Sequence, residues 1–92
     1  MTHSTSPVLK EQVLRAVKEQ LKVNTPPETK QTFERLTDKG YTETEAHDML
    51  AYVLTAELFA VLKEKRPFNL SLYIANLNQL PTLPQQFKTE QQ

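Results

Sequence analysis

The sequence contains no cysteine and no tryptophan, and it has a single glycine, Gly40. Without cysteine the chain has no disulfide, no thiol nucleophile and no cysteine ligand for a structural zinc site. One glycine is too few for the glycine-rich loops that bind phosphate groups. Eleven basic residues balance eleven acidic ones, so the chain lacks the basic field of a typical nucleic-acid-binding protein.

No hydrophobic run in the sequence is long enough to span a membrane. The longest apolar-rich stretch, from Met49 to Leu62, is interrupted by Thr55 and Glu57 and falls short of the roughly 20 residues that cross the hydrocarbon core. Residues 1–6 are polar and lack the apolar core of a signal peptide. We therefore expect a cytoplasmic protein without membrane association, and the length of 92 residues predicts one small domain.

Two amphipathic helices are predicted in the first half of the chain. Ser6-Pro7 is a typical helix start, and apolar residues then recur at helical spacing until about Lys22. Thr25, followed three residues later by Glu28, predicts a capping box at the start of the second helix. Gly40 is expected in the left-handed conformation that commonly follows a helix C-terminus.

The third predicted helix has clear signals at both ends. Thr42 and Glu45 form another capping-box pattern, acidic residues follow in the first turn, and basic residues precede the next proline. Both ends predict one continuous helix of about 22 residues between Thr42 and Arg66. A shorter fourth helix is expected to begin after Asn69, its cap, and to end at Pro81.

Strand-like alternation and hairpin turn signals are both missing from the sequence. The predicted fold class is therefore all-α, a small four-helix bundle around one long central helix. We expect a disordered leader at residues 1–6, a single helical domain at 7–80 and a flexible glutamine-rich tail at 81–92.

The third helix is apolar on nearly all sides. A helix of this kind is normally buried all round, and three shorter helices could enclose it. Alternatively, one face meets a second copy or another protein, because exposed apolar patches usually mark contacts. We place this hypothetical homodimer interface at Tyr52, Thr55, Phe59 and Leu62.

Glu57 is the unusual polar position, since it shares a helical face with apolar residues such as Leu50. A buried carboxylate needs a partner or takes up a proton. One interpretation is a structural ion pair or hydrogen bond to another helix, with candidate partners Arg15, Arg35 and Tyr73. The alternatives are a general acid or base, or a position that is exposed to solvent.

Glu43 and His47 lie one helical turn apart and could supply two metal ligands. A catalytic zinc site usually has three protein ligands, and no Ser–His–carboxylate or paired-carboxylate motif occurs. We therefore predict no catalytic residue, no cofactor and no metal ligand. The turn at Gly40 gives the helix-turn-helix order, but the acidic start of the third helix would repel phosphates, so no nucleic-acid partner is expected.

Several short motifs resemble a group of short all-helical bacterial proteins of unknown function. The likeness runs through a Pro-Pro-Glu helix start, a Gly-Tyr-Thr turn and a Glu-Ala-x-His step, and it continues into the fourth helix. The residues concerned are Pro26-Pro27-Glu28, Phe33, Arg35-Leu36, Gly40-Tyr41-Thr42, Glu45-Ala46-His47, Arg66-Pro67-Phe68, Tyr73 and Leu80-Pro81. The resemblance implies a helical fold and supplies no activity.

The stretch from Leu36 to Ala46, with its Gly40-Tyr41 loop, also looks like the loop after the first helix of ubiquitin-associated domains. In those modules the next helix is short, whereas here a long helix is predicted. The favoured functional expectation is a protein–protein interaction or self-association module without catalytic activity. The alternative is an enzyme or metal-binding protein with a carboxylate-based site around Glu57, or around Glu43 and His47.

Overall fold

Four α-helices form the fold in the computed structural model, which describes residues 7–84. In chain order they are α1 (Pro7–Val23), α2 (Pro27–Asp38), α3 (Glu43–Glu64) and α4 (Leu70–Gln79). No strand occurs within residues 7–84, so the all-α prediction is confirmed. None of the helices in this part of the chain combines the length and the apolar character needed to cross a bilayer.

α3 is one unbroken helix of 22 residues, as its two end signals predict. The Glu45 backbone N–H donates to the Thr42 hydroxyl at 3.0 Å, and the Thr42 N–H donates to the Glu45 carboxylate at 2.9 Å. This capping box satisfies N–H groups that a helix start otherwise leaves without partners. At the other end Lys65 adopts a left-handed conformation with φ 54°, and the Arg66 N–H donates to the Val61 carbonyl at 3.2 Å.

The predicted capping box at the start of α2 is wrong. The helix begins at Pro27, its N-cap is Pro26 in an extended conformation (φ −74°, ψ 152°), and no side chain caps it. The physical reason is Pro27, because the residue that precedes a proline is pushed out of the helical region. Thr25 therefore lies outside the cap, and its hydroxyl donates to the Val23 carbonyl at 3.2 Å.

Gly40 follows α2 with φ 104°, so the predicted positive-φ turn is confirmed. Its N–H donates to the Thr37 carbonyl at 3.0 Å, and the Tyr41 N–H donates to the Leu36 carbonyl at 3.2 Å. These two bonds form a Schellman motif, which satisfies carbonyls at the end of the helix. The chain then enters the Thr42 cap directly, so a tight turn joins α2 to α3.

The hydrophobic core surrounds α3, because α1, α2 and α4 all pack against that helix. The longest dimension of the protein is 35 Å, close to the roughly 33 Å length of a helix of this size. The predicted bundle around a long central helix is therefore confirmed. The main core cluster consists of Val13, Val17, Leu36, Ala46, Leu50, Ala51, Val53, Leu54, Tyr73, Leu77 and Leu80.

The packed region continues beyond the predicted domain end at residue 80. Leu83 packs against the core and Pro84 is buried, whereas Pro81 and Thr82 are exposed. The physical reason is the apolar character of Leu83, which is removed from water by this contact. The predicted leader at 1–6, including the proposed Ser6 cap, and the rest of the predicted tail at 85–92 lie outside the described residues.

Candidate functional site

Glu57 is buried, with 2% of its surface exposed. Its carboxylate accepts two hydrogen bonds from the Arg66 guanidinium, one on Oε2 at 2.7 Å and one on Oε1 at 3.1 Å. A third bond comes from the Asn69 backbone N–H, which donates to Oε2 at 2.7 Å. Both carboxylate oxygens are therefore engaged, and the buried charge has an opposite charge beside it.

This pairing keeps Glu57 ionised. The hydrogen bonds from Arg66 lower the pKa of the Glu57 carboxyl below its ordinary value; burial opposes them, and the Asn69 N–H adds to the lowering. Hydrogen bonds to Glu57 and to Glu64 raise the pKa of the Arg66 guanidinium above its ordinary value. Glu57 is therefore buried in an ion pair, as one interpretation expects, although its partner does not lie on another helix.

The partners expected for Glu57, namely Arg15, Arg35 and Tyr73, are wrong. The left-handed Lys65 turns the chain at the end of α3, and the Arg66 side chain then reaches back to Glu57. The partner thus lies just beyond the end of the same helix, and not on another one. A helical wheel of α3 does not reveal it, because the contact depends on the conformation of the turn.

Charged side chains from other helices hold the two ends of α4. The helix has no acidic residue in its first turn and no basic residue in its last turn. Glu57 of α3 binds the N–H of its N-cap, Asn69. Arg35 of α2 donates to the carbonyls of Leu80 and Leu77 at 2.7 and 3.0 Å. An anion at the N-terminus and a cation at the C-terminus both stabilise a helix dipole, so α2 and α3 supply the end charges that α4 lacks.

A polar network joins α4 to α1 and α2. The Tyr73 hydroxyl donates to the Gln20 side-chain oxygen at 2.9 Å, and the Thr29 hydroxyl donates to the same oxygen at 2.8 Å. Tyr73 is almost fully buried, and burial raises the pKa of its hydroxyl. The sequence analysis does not identify Gln20 as a functional position. The one indication in the sequence is its place three residues after Val17, on the buried side of α1.

His47 contributes to packing between α2 and α3. Its ring is half-buried and lies against the Phe33 ring, with centroids 4.9 Å apart. Glu43, its predicted partner, is exposed in the first turn of α3, where a negative charge stabilises the helix dipole. Within residues 7–84, no group of three or more metal-binding side chains could hold an ion.

The four predicted interface residues follow the outward face of α3. Tyr52 and Thr55 are half-buried, whereas Phe59 is 42% and Leu62 73% exposed. Their positions alternate by three and four residues, so they form one stripe along the helix. This stripe lies opposite the fully buried Leu50. We call these four residues the outward stripe.

Exposed apolar side chains are concentrated between the second half of α3 and the start of α4. Six of the eight large hydrophobic side chains that are exposed in the described part of the chain fall between residues 58 and 72. They are Leu58, Phe59, Leu62, Phe68, Leu70 and Leu72, which we call the 58–72 apolar surface. The Phe68 ring also meets the edge of the buried Tyr73 ring at 5.5 Å, so this connection is packed against the core.

Comparison of the chain with protein-family models, with curated proteins and with solved structures finds no match. The likenesses to short bacterial proteins and to ubiquitin-associated domains therefore stay predictions. The structure does have the Gly40-Tyr41 turn of the second likeness, but a helix of 22 residues follows it. No activity or partner is thus transferred to this chain from another protein.

Proposed function

We propose that the protein is a cytoplasmic protein–protein interaction or self-association module, which forms a homodimer or binds another protein, and that it has no catalytic activity. The observation that supports this proposal is the 58–72 apolar surface. Exposed apolar patches usually mark contacts with other molecules, and these six exposed side chains lie within 15 residues of one another along the chain. Leu62 is the most exposed member of this surface, at 73%, and we expect it to be buried in the contact.

The surface is held in place by interactions inside the same chain. The Glu57–Arg66 ion pair and the bond to Asn69 fix the connection between α3 and α4. Arg35 fixes the far end of α4. A surface with an ordered backbone loses less conformational entropy on binding than a disordered one. Burial of each large apolar side chain then contributes up to about 1.5–3 kcal/mol.

The carboxylate-based alternative has less support. Both Glu57 oxygens are engaged by Arg66 and Asn69, so acid–base chemistry there would first require a buried ion pair to open. His47 is packed against Phe33. Two of the three residues named by the enzyme hypothesis, Glu57 and His47, therefore have structural partners.

A mass measurement over a wide range of protein concentration tests the proposal, for example by sedimentation equilibrium. The wild-type chain should rise above its monomer mass of 10.6 kDa as concentration increases. Leu62→Lys should remain monomeric, because a charge replaces the most exposed apolar side chain. Val23→Lys is the matched control, since Val23 is 52% exposed in the last turn of α1, and it should behave as the wild type.

Binding to a different protein is measured with the same variants. The tagged wild-type chain and Val23→Lys should then capture a protein from native lysate that Leu62→Lys does not capture. A chain that stays at 10.6 kDa and shows no capture that depends on Leu62 would overturn the proposed function.

A further inference from the structure

Charged residues of opposite sign lie at the two ends of the outward face of α3. Continuing the outward stripe toward the N-terminus by the same three- and four-residue steps adds Asp48 and Glu45, both exposed. At the other end the stripe finishes at Leu62, beside the exposed Lys63. The face is therefore acidic at its N-terminal end and apolar and then basic at its C-terminal end. The net charge of the whole chain is zero, so two copies have no long-range repulsion.

A partner that is complementary in charge must place basic residues against the acidic end of this face and acidic residues against its basic end. A second α3 meets this requirement when it lies antiparallel, because its basic end then faces the acidic end. A parallel pair would instead place Asp48 beside Asp48 and Lys63 beside Lys63. An antiparallel pair that crossed at Leu62 would also bring the two Lys63 side chains together. A crossing point near Thr55, midway between Asp48 and Lys63, avoids both repulsions.

We propose that the partner on this face is a second copy of the chain, with the two α3 helices antiparallel about a two-fold axis beside Thr55. This inference rests on the proposed function and adds the orientation of the pair. Asp48 lies seven residues before Thr55 and Lys63 eight residues after it, so Asp48 faces the partner's Lys63. The two-fold axis generates a second, identical ion pair.

Because the sequence has no cysteine, one introduced thiol can test this geometry. Packed helices lie about 8–10 Å apart between axes, which brings facing residues near an axis within reach of a disulfide. Thr55→Cys should therefore form a disulfide-linked dimer under mild oxidation, measured on a non-reducing denaturing gel. Gln31→Cys, at an exposed position of α2, is the control and should remain monomeric on the same gel.

Charge reversal gives an independent test at positions exposed enough for the fold to be preserved. Asp48→Lys and Lys63→Asp each convert two symmetry-related attractions into repulsions, so each should raise the dimer dissociation constant about tenfold. The double variant restores opposite charges and should return the constant to within about twofold of wild type. Lys30→Asp makes the same charge change on an exposed position of α2 and should leave the constant unchanged.

The outcomes separate this inference from the proposed function. A dimer that forms without cross-linking through Thr55→Cys, or whose affinity the double variant does not restore, overturns the antiparallel arrangement and leaves self-association standing. A chain that stays at 10.6 kDa at every concentration overturns the second copy as the partner. The proposed function then stands only if capture of another protein depends on Leu62.

Discussion

Replacing Glu57 with glutamine tests the ion pair at the junction of α3 and α4. Glutamine has nearly the same shape, but one of its terminal atoms is an N–H donor. If its oxygen takes the place of Oε2, it still accepts from Arg66 Nη1 and from the Asn69 N–H, whereas its nitrogen faces the donor Nη2, which now lies 3.1 Å from Oε1. One hydrogen bond is thus lost and two become weaker.

The expected effect follows from these bonds. A hydrogen bond to a charged group contributes roughly 1.5–3 kcal/mol, and relief of the buried negative charge offsets part of the loss. We therefore expect Glu57→Gln to lower the free energy of unfolding by about 2 kcal/mol, measured by urea denaturation followed by circular dichroism. A domain of this size should then lose about 8–16 °C in melting temperature.

Glu64→Gln is the matched control for this experiment. Glu64 accepts a hydrogen bond from the same Arg66 side chain at 2.7 Å, but its own side chain is 57% exposed. Exposed ion pairs contribute little, so this variant should stay within about 0.5 kcal/mol of the wild type. Equal free energies of unfolding for the two variants would refute the argument that burial makes the Glu57 pair important.

The same pair predicts a dependence on pH. The pKa of the Glu57 carboxyl is lower in the folded chain than its ordinary value. Its contribution is therefore complete above the unfolded pKa of about 4.3 and is lost as the pH falls through the lower folded pKa. The difference in stability between wild type and Glu57→Gln should shrink in strong acid. A difference that stays constant from neutral pH into strong acid would contradict this assignment.

Three other variants test the core, the turn and the end of α4. Leu50 is fully buried, so Leu50→Ala should lower the free energy of unfolding in urea by about 2–5 kcal/mol, and a loss below about 1 kcal/mol would contradict its central position. Gly40→Val should lower the free energy of unfolding by about 2 kcal/mol through backbone strain. A steric clash is not the cause, because no atom lies within 4 Å of an added Cβ. Gly40→Asn should lower the free energy of unfolding less, and equal losses would argue against strain. Arg35→Met removes the bonds to the Leu77 and Leu80 carbonyls, so amide exchange in α4 should accelerate about tenfold relative to α1, and unchanged exchange would show that this contact is dispensable.

Helix ends could be predicted where the signal is contained in a few neighbouring residues. The capping box of Thr42 and Glu45 forms as predicted, and so does the positive-φ turn at Gly40. Asn69 also acts as predicted, because its side-chain oxygen accepts a hydrogen bond from the Leu72 N–H at 3.0 Å. The error at the start of α2 comes from giving the capping-box pattern more weight than a proline pair, although the effect of proline on its predecessor is equally local.

Partners of buried polar groups could not be predicted in this way. The contact between Glu57 and Arg66 requires the left-handed turn at Lys65, and a lysine carries no clear sequence signal for such a turn. Tyr73 meets Gln20 only because α1 and α4 are neighbours in the fold. The outward stripe on α3 differs from these contacts, since helical periodicity alone places its four residues on one side of the helix.

Glu57 and Arg35, the charged side chains from α3 and α2 at the two ends of α4, predict an order for assembly of the bundle. A helix of ten residues is shorter than the roughly 12–15 residues at which isolated helices become even marginally stable in water. Its two anchors, Arg35 and Glu57, precede it in the chain, so they leave the ribosome first. We therefore expect α4 to fold late and to close the bundle after α2 and α3 have met. For the same reason, spontaneous opening should begin with its release.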